Sequence, residues 1–100
     1  MLVFRADEYS TWIDNLKDRA GRALVLMRVD RLIHGNSGSR RNLKEGVSEL
    51  KKDVGPGYRV YYSLRGDRLL LLLVGCSKSS QLDDVTRALE LNRLSGDQLQ

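Results

Sequence analysis

Apolar positions change period twice along this chain. Residues 1–5, "MLVFR", are apolar enough for a short first strand. Tyr9, Trp12, Ile13 and Leu16 then fall at i, i+3, i+4 and i+7, one face of a helix, with Asp7 as the expected N-cap. "DRAG" at 18–21 interrupts the pattern, and Val25, Leu26, Val29, Leu32 and Ile33 form the stripe of a second helix, with Arg22, Arg28 and Arg31 among or beside them. That helix is expected to stop at His34-Gly35, where glycine takes the left-handed cap conformation. A break this short predicts a helical hairpin.

After a turn-rich basic loop, "GNSGSRRN" at 35–42, the period becomes that of strands. "VSELKKDV" (47–54), "YRVYYSL" (58–64) and "RLLLLLVG" (68–75) are separated by the turn signals "GPG" and "RGD", which predicts an antiparallel meander. The third strand is apolar on both faces, as a central strand covered at least in part on both sides would be. "SSQLDDVTRALELNRL" resumes helical spacing: Ser80 is a possible cap, Asp83 and Asp84 suit the first turn, and Leu82, Val85 and Leu89 share a face. The expected fold is α+β, a single domain over residues 1–95 with a frayed tail at 96–100. It has an N-terminal helical hairpin, a C-terminal helix, a sheet of three or four antiparallel strands, and room for one extra N-terminal strand.

Alternation sorts the meander into two faces. Val60, Tyr62 and Leu64 share one, and Leu50 and Val54 lie with Ser48 and Lys52 on one side of their strand. If the aliphatic set packs on the helices, the opposite surface carries Glu49, Lys51, Arg59 and Tyr61, with Lys78 of "GCSKSSQ" reaching over it. Lys44 and the Arg40-Arg41 pair lead into that surface from the basic loop. Arginine suits phosphate because its planar fork donates two parallel hydrogen bonds, and a tyrosine ring offers a base a stacking partner. Such a cluster can also cleave RNA. Arg59 and Lys78 would stabilise the phosphorane charge, with Glu49 or a lysine as the base that deprotonates the 2′-hydroxyl. The ordinary alternative is a solvated face on which Glu49, Lys51 and Arg59 make cross-strand ion pairs.

Composition narrows the function classes. The chain has 100 residues, 41% apolar and 30% charged, with net charge +4. That describes one globular domain with a basic balance suited to a polyanion or an acidic protein partner. One cysteine, Cys76, excludes an internal disulfide and a structural zinc site, and it reads as a small residue ending an apolar strand. The longest apolar run, "LLLLLV", is too short for a membrane span, and no signal peptide is visible, so the expectation is a cytoplasmic protein without membrane partners. His34 reads as a helix-end cation and "RGD" as a hairpin turn. No cofactor or metal is called for.

Four segments in order carry a resemblance: "RVDRLIHGNSG" at 28–38, "EGVSEL" at 45–50, "GPGYRVY" at 55–61 and "GCSKSSQ" at 75–81. Over residues 4–92 the chain resembles the RelE/ParE superfamily of bacterial type II toxin–antitoxin toxins, in its HigB-like addiction module killer branch. The resemblance implies a RelE-like fold and metal-independent cleavage of mRNA in the ribosomal A site through 2′-hydroxyl attack. Arg59 would contact the scissile phosphate, with support from Lys51, Lys52 and Lys78. It also implies a cognate helix-turn-helix antitoxin that neutralises the toxin and mediates any contact with operator DNA. Many relatives carry a histidine or tyrosine near the C-terminus as acid or base, and "QLDDVTRALELNRL" offers neither. The superfamily also contains ParE-like gyrase poisons that are not nucleases. A third possibility is a degenerate toxin that keeps only antitoxin and operator-complex binding.

Overall fold

Among the described residues the chain forms eight elements: β1 (Leu2–Arg5), α1 (Asp7–Asn15), α2 (Arg19–Ile33), β2 (Arg40–Asn42), β3 (Val47–Lys51), β4 (Arg59–Arg65), β5 (Leu69–Cys76) and α3 (Gln81–Leu99). The structure is a computed structural model that describes residues 2–36, 38, 40–51, 57–66, 68–77 and 81–99; the side chains of residues 51, 81, 82 and 96–99 are outside that description. The sheet order is β1-β5-β4-β3-β2. β1 runs parallel to β5, and every other neighbouring pair is antiparallel.

The α+β class is as expected, and β1 is the extra N-terminal strand. The sheet is larger than the expected three or four antiparallel strands: it has five and is mixed. The difference arises at its edges. Residues 40–42, read as the end of a loop, pair with β3 as β2, because the Glu45-Gly46 turn folds the basic segment back on "SEL". Both turn residues have positive φ, 57° and 79°, a conformation open to Gly46 and uncommon for Glu45.

α1 begins one residue earlier than Asp7 would cap it. Ala6 holds the N-cap position without a side-chain bond, and Asp7 joins Glu8 in the first turn, where carboxylates meet the positive end of the helix dipole. α2 has a side-chain cap: Asp18 accepts from Gly21 N at 3.0 Å and from the Tyr58 hydroxyl at 2.9 Å. Those two bonds, the backbone one first, hold the Asp18 carboxyl below its ordinary range. α2 ends as expected at His34, with Gly35 at φ 91°. The expected Ser80 cap lies outside the described residues. α3 continues to Leu99, through the segment read as a tail.

Both faces of the sheet are covered. Tyr9, Ile13, Val25, Val29 and Leu32 from α1 and α2 pack on Leu50, Val60, Tyr62, Leu70 and Leu72. On the other face Ala88 and Leu89 of α3 pack with Val47, Tyr61, Leu71, Leu73, Val74 and Cys76. β5 supplies both cores because it is central, which explains its continuous apolar run. Between Tyr61 and Tyr62 the register shifts: Tyr61 pairs with Val74 and Tyr62 with Leu72, so Leu73 is the extra residue of a bulge. The bulge keeps Leu73 and Val74 on the same face and leaves Gly75 beneath α1. There Trp12 lies so close that a Cβ on Gly75 would sit 2.0 Å from its Cε3.

Candidate functional site

The sequence placed Glu49, Lys51, Arg59 and Tyr61 on one open surface, and alternation correctly put Glu49, Arg59 and Tyr61 on the same side of the sheet. That surface is not open. α3 lies across it, and Glu49 and Tyr61 are each 0% exposed. A fully buried tyrosine is not a stacking platform for a base, and a carboxylate without solvent-accessible surface does not reach a 2′-hydroxyl. Both assignments are therefore corrected. The reason is that alternation tells which residues share a face, not what covers it.

Arg59 opens β4. Its register partners are Lys51 on β3 and Cys76 on β5. Its side chain retains 19% of its surface, and its Nε lies 3.3 Å from Glu49 Oε1. Nη1 of the same guanidinium is buried with no hydrogen-bond partner among the described residues. Glu49 is held from the other side as well. Arg41 Nη2, from β2, donates to Glu49 Oε2 at 2.8 Å, and the Arg41 side chain is 48% exposed. One buried carboxylate thus sits between two guanidinium groups from neighbouring strands, an arrangement that compensates a charge too costly to bury alone.

Beneath this triad lies a second polar group. Burial, then the charges of Cys76 and Glu49, raise the Tyr61 hydroxyl far above its ordinary range, so it stays protonated at any physiological pH. Among the described residues it meets no hydrogen-bond partner of good geometry, and its polar neighbour is the Cys76 thiol, a weak partner at best. Burial, followed by the hydrogen bond to the Asp84 carboxylate of α3, pushes the Cys76 thiol up to about 12. A thiol held neutral in this way is a poor nucleophile, as its reading as a strand-end packing residue implied.

The other expected site residues are dispersed. Arg40 pairs with Leu50 and shares its face, opposite to the face of Arg41. Lys44 is exposed in the β2–β3 turn. Lys52 and Lys78 lie outside the described residues, as does the side chain of Lys51. Surface clefts among the described residues include one of about 310 Å³ between α1 and α2 and one of about 410 Å³ beside β1 and α3, and neither of these is lined by Arg59 or Glu49. Among the described residues no group of three His, Cys, Asp or Glu side chains could hold a metal ion. None of the described helices is long and apolar enough to cross a membrane.

Sequence reading missed the direct Arg41–Glu49 bond and the contact of Asp84 with Cys76. The first had a signal: "RRN" and "SEL" flank a Glu-Gly turn, and pairing them as a hairpin puts Arg41 opposite Glu49. The second had none, since it depends on where α3 lands.

An uncharacterized protein of Haemophilus influenzae is 36% identical to the chain over 80 residues, which span 80% of this chain and 81% of the relative. The chain belongs to that protein's family. No family model matches the chain. No solved structure gives a significant match.

Proposed function

We propose that the chain is the toxin of a type II toxin–antitoxin pair: an endoribonuclease that cleaves mRNA in the ribosomal A site and is neutralised by a cognate helix-turn-helix antitoxin. The observation that carries this reading is Arg59, whose Nε lies 3.3 Å from Glu49 Oε1 while 19% of its side chain stays exposed at the start of β4. A pentavalent phosphorane needs such a donor, aimed before the reaction begins. Lys51, the register partner of Arg59, and Lys78, two residues beyond Cys76 in the chain, are the supporting cations. With Glu49 buried, Lys51 takes over as the base candidate. The net charge of +4 favours an RNA partner and an acidic antitoxin segment alike, through fast, salt-sensitive association.

A second reading is a non-catalytic, ParE-like gyrase poison. The burial of Glu49 and Tyr61 under α3 favours it, because it removes two of the groups a nuclease would use. Induced expression followed by primer extension on cellular mRNA separates the two. Cleavage within codons that is lost in Arg59→Ala and Lys78→Ala is the expected result. Intact mRNA together with accumulating DNA breaks would replace the nuclease with the gyrase poison, and absence of growth arrest would exclude both.

A further inference from the structure

We infer that Glu49 is a positioning residue that sets Arg41 and Arg59 as a two-guanidinium clamp on a single phosphodiester group. The RNA substrate assumed here rests on the nuclease reading above; the clamp itself rests on geometry. Glu49 uses its two carboxylate oxygens on two different cations, Oε2 on Arg41 Nη2 at 2.8 Å and Oε1 on Arg59 Nε at 3.3 Å. A general base must come within about 2.6–3.2 Å of the proton it removes. A carboxylate that is 0% exposed and braced on both sides by guanidinium groups does not meet that requirement. What it does is fix two long side chains that would otherwise sample many rotamers.

Each arginine spends only part of its donor set on Glu49. A guanidinium has five N–H donors in a rigid fork. Arg59 places Nε at ion-pair distance from Glu49 and keeps 19% of its side chain exposed. Arg41 commits Nη2 and keeps about half of its side chain in solvent. The triad therefore carries one net positive charge, and its solvent-exposed part comes from Arg41 on β2 and, to a smaller extent, Arg59 on β4. A phosphodiester shares one negative charge over two non-bridging oxygens, one for each guanidinium, and hydrogen bonds from arginine to such oxygens are charge-assisted and short.

Charge counting and positioning predict opposite signs for one substitution. Glu49→Gln removes a negative charge beside the proposed phosphate site, so electrostatics alone would tighten RNA binding. A positioning role predicts weaker binding, because the amide holds neither guanidinium by charge and presents an NH₂ to one of them. The test uses the full chain and a fluorescein-labelled, 2′-O-methyl RNA pentamer, which cannot be cleaved, titrated by fluorescence anisotropy over a range of salt. Arg41→Ala and Arg59→Ala are each expected to weaken binding about tenfold and to reduce the salt slope by about one. Glu49→Gln is expected to weaken it by a similar factor, with no further loss when added to the Arg41→Ala/Arg59→Ala double variant. Tighter or unchanged binding by folded Glu49→Gln would overturn the inference. If Glu49→Gln does not fold, Arg41→Lys decides: it keeps the charge but loses the fork, so a tenfold loss supports the clamp and unchanged binding refutes it. Failure of the nuclease reading looks different, because the pentamer results then hold while no cellular mRNA is cut.

Discussion

The buried tyrosines of this small core do not all respond alike to loss of the hydroxyl, and Tyr61→Phe is the most informative substitution. The Tyr61 hydroxyl is fully buried and, among the described residues, finds no hydrogen-bond partner beyond the weakly bonding Cys76 thiol. Holding a hydroxyl out of water without a partner costs about 1–3 kcal/mol on mutational scales, whereas phenylalanine fills the same space without that cost. Tyr61→Phe should therefore stabilise the fold by about 1 kcal/mol. With a urea m-value of about 1–3 kcal/mol/M for a small protein, the midpoint should rise by roughly 0.3–1 M with m unchanged. Tyr62, on the opposite face and also without a hydroxyl partner among the described residues, should behave in the same way. Tyr58 is the control: its hydroxyl donates to Asp18 at 2.9 Å, and Tyr58→Phe should destabilise by about 1 kcal/mol. Urea unfolding of the three variants, followed by far-UV circular dichroism, reads all three shifts. A midpoint that falls for Tyr61→Phe as it does for Tyr58→Phe would refute the reasoning, since it would mean that the Tyr61 hydroxyl is satisfied.

Gly75→Ala should destabilise by about 1–3 kcal/mol, because the new methyl meets the Trp12 ring at 2.0 Å; a Trp12→Leu/Gly75→Ala double variant should cost less than the sum of the two singles, as a thermodynamic cycle in urea would measure. The Cys76 thiol, raised in the folded state to about 12, contributes stability that is fully present below the ordinary thiol value and is lost as pH rises through about 12. At pH 8 its reaction with an aromatic disulfide reagent should run at least a hundredfold slower than in urea-unfolded protein, and rapid labelling of the native chain would disprove the burial. Asp18 has the opposite sign: its depressed pKa contributes stability present above the ordinary carboxylate range and lost as pH falls through its folded value, so Asp18→Asn should flatten the acid limb of the thermal melting temperature against pH.

Much of the local structure can be read directly from residue order. The 3.6-residue spacing of Tyr9, Ile13, Val25, Val29 and Leu32 marked two helices, and all five side chains pack on the sheet. Alternation in "YRVYYSL" correctly divided Val60 and Tyr62 from Tyr61, and the unbroken "LLLLLV" correctly announced a strand buried on both sides. These properties depend on neighbours along the chain, where the backbone period alone decides which side chains point together. Three other features were decided by contacts distant in sequence. β1 docks in parallel beside β5, about seventy residues away in the chain. Arg41 meets Glu49 only because a Glu-Gly turn makes an edge strand of a basic loop. α3 settles on the second face, held to α1 through Arg87 and Glu8 and to the β2–β3 turn through Asn92 and Arg93. That last placement turned the expected open patch into a buried ion triad. A strand's own alternation is the same whether its far face meets water or a helix, so the sequence could group Glu49, Arg59 and Tyr61, and only the tertiary structure could show that the first and last are covered.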